Sequence, residues 1–133
     1  VSGEREVVIA GSADVVGVRQ LVRSVAVEIG LSLVDQTKIV TAASELARNA
    51  LVYGGGGDVR IEIVTNGPRR GLKLIFSDEG PGIPDIEQAL TDGWTTGGGM
   101  GLGLGGSRRL VDEFDLVSEP GKGTTVTVTK WSR

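Results

Sequence analysis

Residues 92–106 interrupt an otherwise patterned chain with a glycine-rich run that has neither the three-to-four spacing of a helix nor the alternation of a strand. A structureless stretch of roughly 15 residues is uncommon inside a compact domain unless it serves as a lid or binding loop. The fold must therefore carry a long functional loop between its regular elements. Two smaller glycine clusters, Gly54 to Gly57 and Gly80 with Gly82, mark further places where the backbone needs freedom that a side chain would remove.

The regular elements can be placed around these clusters. Residues 5–10 form a short strand, and Gly11-Ser12 with Asp14 supply a turn and helix cap. Val15, Val18, Leu21, Val22, Val25, Ala26 and Ile29 recur at helical spacing up to a stop at Gly30. Ser32 and Asp35 resemble a capping box, and a second helix continues through Ile39, Val40, Ala43, Leu46, Ala47 and Ala50 to Tyr53. Val59, Ile61 and Ile63 alternate with charged residues. After Asn66-Gly67-Pro68, Leu72, Leu74 and Phe76 alternate again, which predicts an antiparallel pair.

A short helix over residues 84–91 starts at Pro84, and a further helix is expected over residues 107–113. A strand over 114–118, a turn at Glu119 to Gly123 and a last strand over 124–131 complete the chain. These elements predict an α+β, two-layer sandwich: a mixed, mostly antiparallel sheet with helices on one face. The length of 133 residues suits a single domain, 1–133, with one core.

Charge and composition narrow the functional classes. The net charge of −3 argues against a surface built for nucleic-acid phosphates, which needs clustered Lys and Arg. With no cysteine, neither a disulfide framework nor a thiolate metal site is available, which fits a cytoplasmic location. No apolar run is long enough for a membrane span, and the first 30 residues lack a signal-peptide pattern, so neither membrane nor nucleic acid is expected as a partner. The absence of histidine excludes every His-based mechanism within this chain.

Three local patterns carry chemistry. Glu45 and Asn49, spaced i and i+4, share a helix face at the border of the apolar stripe. A Glu there can accept a proton from an attacking hydroxyl, and an Asn carbonyl can bind Mg²⁺, a hard cation that favours oxygen. Alone, such a pair also suits a solvated helix edge. Asp78-Glu79-Gly80-Pro81-Gly82 follows an apolar strand; an Asp there can accept from an exocyclic amine such as that of adenine, and glycines admit a flat ring. Alone, it also reads as an acidic turn. Gly97 to Gly106, ahead of a helix, offers successive backbone N–H groups to phosphates, or is a flexible linker. It is not a Walker A loop, because it contains no Lys.

In this order and at these separations the patterns resemble the Bergerat-fold (GHKL) ATPase and kinase superfamily over nearly the whole chain. Glu45 to Ala50 is similar to its N-box, Asp78 to Gly82 to its G1 box, Gly101 to Gly105 to its G2 box and Gly123-Thr124-Thr125 to its final box. Val34-Asp35-Gln36, Thr95-Thr96, Asp112 to Asp115 and Ser118 to Thr125 look most like the RsbT-type switch-protein serine/threonine kinases of bacterial stress-response partner switching.

The resemblance implies ATP and Mg²⁺ as cofactors, Glu45 as general base, Asn49 as Mg²⁺ ligand and Asp78 as reader of the adenine amine. It further implies that Gly80 and Gly82 shape the base pocket, that Gly101, Leu102, Gly103, Leu104 and Gly105 line the triphosphate, and that Thr125 supports the adenine. The implied partners are a STAS-domain antagonist as phosphoacceptor, STAS scaffold proteins of a stressosome, and a PP2C-type phosphatase activated by binding. An alternative within the same resemblance is an ATP-gated anti-sigma factor with little catalysis. One departure stands out: no Lys or Arg lies between Asp92 and Ser107, whereas some members of the superfamily place a lid lysine on the γ-phosphate. A histidine-kinase catalytic fragment would normally follow a helix pair bearing a histidine, and the strand-then-helix start does not fit one.

Overall fold

A computed structural model describes residues 4–80 and 103–132. The expected helix over 84–91, most of the glycine-rich loop, and Gly82, Gly101 and Leu102 lie outside the described residues. The chain runs β1 (Glu4–Ile9), α1 (Ser12–Glu28), α2 (Leu33–Val52), β2 (Gly57–Asn66), β3 (Arg69–Asp78), α3 (Gly103–Arg109), β4 (Glu113–Glu119) and β5 (Gly123–Trp131).

Local chemistry explains the helix boundaries. The Asp14 carboxylate accepts from the backbone N–H groups of Ala10 and Gly11 at 2.9 and 3.0 Å, closing the start of α1 from within its first turn. Gly30, at φ 84°, ends α1 in a left-handed cap: its N–H donates to the Val27 carbonyl, and the Leu31 N–H donates to Ala26. The Ser32 hydroxyl accepts from the Asp35 N–H at 3.1 Å, so α2 starts at its predicted cap.

The five strands form one sheet in the order β1-β2-β3-β5-β4. The sheet was expected to be mixed and mostly antiparallel; among the described residues all four of its pairings are antiparallel. Two residues, Gly67 and Pro68, join β2 to β3, and Gly67 takes the positive φ of 63° that such a tight hairpin reserves for glycine. Val59, Ile61, Leu72, Leu74, Phe76, Val126 and Val128 point to one face and meet Val18, Val22, Ile39, Ala43 and Leu46 of the helices in one core. That alternation fixes which strand residues can face the helix layer.

The C-terminal third differs from the sequence expectation. The helix expected over 107–113 instead occupies Gly103–Arg109, and β4 already begins at Glu113. Gly103, Gly105 and Gly106 each disfavour a helix by about 1 kcal/mol relative to alanine. Packing against α2 overrides that preference, because Leu104 joins the core and Ser107 is fully buried.

Candidate functional site

The site is assembled where the C-terminal end of α2 meets the end of β3 and the start of β5. On α2, Glu45 lies beside the buried Leu46, with only 13% of its side chain exposed, and Arg48 approaches its carboxylate at 3.6 Å. Asn49 follows one turn later, half-buried on the same face. The Asn49 carbonyl accepts from the N–H groups of Tyr53 and Gly54, and the Gly56 N–H returns to the Ala50 carbonyl. Gly55 and Gly56, at φ 73° and 111°, then turn the chain into β2.

Asp78 is brought to this helix end by close backbone approach. A Cβ built on Gly54 would stand 2.5 Å from Asp78 Cγ and 2.8 Å from the Ala50 carbonyl oxygen, and one on Gly80 would stand 2.6 Å from Gly54 Cα. The two glycines thus let the exits of α2 and β3 touch. Gly80, expected to shape a base pocket, makes this contact and also donates its N–H to Asp78 Oδ1 at 2.9 Å. A carboxylate keeps acceptor capacity beyond that one bond. Asn49, Asp78 and Gly80 therefore stand at one end of the two-layer sandwich, with Glu45 one turn back from Asn49 along α2.

Two expected site residues stand elsewhere. Thr125 pairs with Ser77 and Val117, which puts it on the sheet face away from the helices. Thr124 pairs with Asp78 on one side and Ser118 on the other, on the same face as Phe76 and Val126, so Thr124 is the threonine beside Asp78. The Leu104 side chain, expected along the triphosphate, is 7% exposed and belongs to the core. Gly103 and Gly105 lie in the first turn of α3, whose leading N–H groups have no partner within the helix.

Sequence reading missed Thr124, Ser118 and an ion cluster at the opposite end of α2. Lys130, with 5% of its side chain exposed, places its ammonium 3.4 Å from Asp35 and 3.5 Å from Asp112. This cluster pins the start of α2 to β5. The alternation of Val126 with Val128 was the signal that could have separated Thr124 from Thr125; nothing local marks Lys130 as buried.

The donor set fits a magnesium nucleotide: a part-buried carboxylate for a proton, a neutral amide for a hard cation, and a second carboxylate with a neighbouring hydroxyl for a base edge. The comparison that decides the family concerns residues 34–132, which match the family of histidine kinase-, DNA gyrase B-, and HSP90-like ATPases. The chain belongs to this family. Within it, the chain is a serine/threonine-protein kinase of the GHKL type: it is 52% identical over 120 residues to the serine/threonine-protein kinase RsbT of Bacillus subtilis (strain 168), covering 90% of each chain.

More distant relatives include the anti-sigma F factor of Thermoanaerobacter sp. (strain X514), 32% identical over 85% of this chain and 82% of the relative. Among solved structures, the RsbU and RsbW domains of Rv1364c from Mycobacterium tuberculosis superpose with a TM-score of 0.67 at 25% identity, over 99% of this chain and 33% of that one. The mycobacterial sensor histidine kinase MprB, at 18% identity and a TM-score of 0.54 over 98% of both chains, shares the fold.

Proposed function

We propose that this kinase transfers the γ-phosphoryl group of ATP to a serine or threonine of a STAS-domain antagonist in the cytoplasm. Once freed from STAS scaffold proteins of a stressosome, it would activate a PP2C-type phosphatase by binding. The observation that carries the catalytic part is the sheltered Glu45, one helical turn from Asn49 on the helix end that abuts Asp78.

In this reading Glu45 takes the proton of the acceptor hydroxyl as its oxygen bonds to the γ-phosphorus, and the bond to the departing ADP breaks. The Asn49 side-chain oxygen would hold Mg²⁺, which supplies charge neutralisation to the phosphates. Asp78 accepts from the adenine amine and Thr124 flanks it. Arg48, 44% exposed beside Glu45, is the nearest described cation to the proposed base.

The test is magnesium-dependent ATP binding by calorimetry together with phosphate transfer to a purified STAS antagonist. Glu45→Gln is expected to keep ATP binding and lose transfer by about 10²-fold or more. Asn49→Ala and Asp78→Asn are expected to lose binding itself. Folded wild-type protein that binds no MgATP would overturn the reading. The similarity to anti-sigma F factors supports a second reading, an ATP-gated sigma-factor binder, which predicts nucleotide-dependent capture of a sigma factor without turnover.

A further inference from the structure

Phosphoryl transfer spreads negative charge over the γ-phosphate oxygens, and a positioned cation beside them is a recurring part of such sites. The sequence restricts where this chain can find one. No Lys or Arg occurs from Leu74 to Ser107, a stretch that holds both Asp78 and the glycine-rich run. Arg108 and Arg109 follow only in the last turn of α3, at the end opposite Gly103. Lys130 is taken up by Asp35 and Asp112 toward the far end of α2.

Arg48 is placed differently. It follows Glu45 by three residues and directly precedes Asn49, and its guanidinium stands 3.6 Å from the Glu45 carboxylate. A base works about 3 Å from the hydroxyl it deprotonates, and that hydroxyl must come within about 3–3.5 Å of the phosphorus. Any acceptor that Glu45 serves therefore brings the phosphorus to a distance on the order of 10 Å from the guanidinium, a span that a long arginine side chain can close by rotating. The contact it would give up is weak: 3.6 Å is an ion pair without a hydrogen bond, and 44% of the Arg48 side chain is exposed against 13% for Glu45. A phosphate group offers the guanidinium fork paired oxygens and more charge than that carboxylate does. We propose that Arg48 is a further catalytic residue: it exchanges Glu45 for the γ-phosphate when ATP binds, and holds the oxygens of the transferring group as charge builds on them. It makes no covalent bond. The acceptor oxygen bonds to the γ-phosphorus, the bond to ADP breaks, and the proton passes to the Glu45 carboxylate that Arg48 has released. The inference rests on the reading of Glu45 as the base for MgATP, and adds the cation to it.

The experiment compares MgATP and MgADP binding by calorimetry for the full chain and its variants, with thermal unfolding recorded for each and transfer to a purified STAS antagonist measured alongside. Arg48→Ala puts the best helix former at an exposed position, so the variant should fold with a Tm near that of the wild type. It is expected to hold ADP as before and to cut the ATP-over-ADP affinity ratio roughly tenfold, the worth of a hydrogen bond to a charged group. Its kcat for transfer should fall by about 10²-fold or more. Arg48→Lys, which keeps the charge but not the fork, should lie between the two. The double variant Glu45→Gln/Arg48→Ala separates a contact with phosphate from a contact with the base. If Arg48 binds the γ-phosphate, removing it cuts the ATP-over-ADP ratio as much in Glu45→Gln as in the wild type; if it only holds Glu45, its removal changes nothing once that carboxylate is gone.

An unchanged ATP-over-ADP ratio in folded Arg48→Ala overturns the inference. So does a loss confined to the KM for the acceptor protein, which makes Arg48 a docking residue instead. If Asn49→Ala abolishes MgATP binding in the same series, either result leaves the nucleotide site standing and removes only the cation. A folded wild type that binds neither nucleotide takes down the proposed function and the inference together.

Discussion

Thr124 and Thr125 are adjacent and chemically identical, yet β5 sends them to opposite sides of the sheet. Thr124 stands against Asp78 and bonds to Ser118, while Thr125 stands against Ser77 on the open side. The two should therefore respond differently to one substitution. Thr124→Val, nearly isosteric and well suited to a strand, is expected to lower MgATP affinity about fivefold by removing one hydroxyl. Thr125→Val should leave affinity within about twofold, since the change lies across the sheet from the site. Calorimetric titration decides between them, and a loss in Thr125→Val alone would reverse the assignment. The sequence contained the means to separate the two, because Val126 and Val128 fix the parity of β5; resemblance to the family box led instead to Thr125. The placement of Glu45, Asn49 and Asp78, though not their roles, was legible because spacing within one helix and position after one apolar strand are local properties.

At the scale of elements, glycine acts in opposite ways at two ends of the helical layer. Gly17, in the middle of α1, would place a new Cβ with no heavy atom within 4 Å. Gly17→Ala is therefore expected to stabilise the protein by about 1 kcal/mol, the ordinary difference in helix propensity. Gly54, where α2 gives way to β2, would drive the same methyl into Asp78 Cγ at 2.5 Å and the Ala50 carbonyl oxygen at 2.8 Å. Gly54→Ala should cost roughly 1–3 kcal/mol and weaken ATP binding, because the backbone must shift where Asp78 is positioned. Urea denaturation of the two variants should give changes of opposite sign; a stable Gly54→Ala with intact ATP affinity would show that the α2–β3 contact is not required. The element boundaries that were legible, Gly30, Ser32 and the Gly67-Pro68 hairpin, each depend on a few neighbouring residues. The start of α3 at Gly103 was not, since it follows from Leu104 and Ser107 burying against α2, a tertiary gain that outweighs three helix-disfavouring glycines.

Over the whole molecule, α2 is held at both ends by different chemistry. Its C-terminal end gives way to Gly54, which meets Asp78 beside the start of β5, and its N-terminal end is tied by Asp35 to Lys130 near the end of β5. About 14 residues separate Asp35 from Asn49, so the two anchors stand roughly 20 Å apart along the helix. The second anchor joins positions 35, 112 and 130, which no local pattern connects, and it was invisible in the sequence for that reason. Its energetics are those of a buried charge: Lys130 is nearly inaccessible, and its two carboxylates are themselves largely covered. Lys130→Met would take from Asp35 and Asp112 the buried cation that they share. Asp112 would still accept from the Trp131 N–H, but that bond does not neutralise it. The expected loss is about 3 kcal/mol, a large share of the roughly 5–15 kcal/mol that holds a domain together. It should appear as a fall in Tm of roughly 10 °C. A double-mutant cycle pairing Asp35→Asn with Lys130→Met should show coupling above about 0.5 kcal/mol, because the two groups share one interaction. Below the lowered Tm, MgATP affinity should match the wild type, since the proposed nucleotide residues lie toward the other end of α2. A Lys130→Met protein with wild-type stability would show that the cluster does not anchor the helix. One with wild-type stability but lost nucleotide binding would mean that α2 transmits the position of its first turn to Asn49.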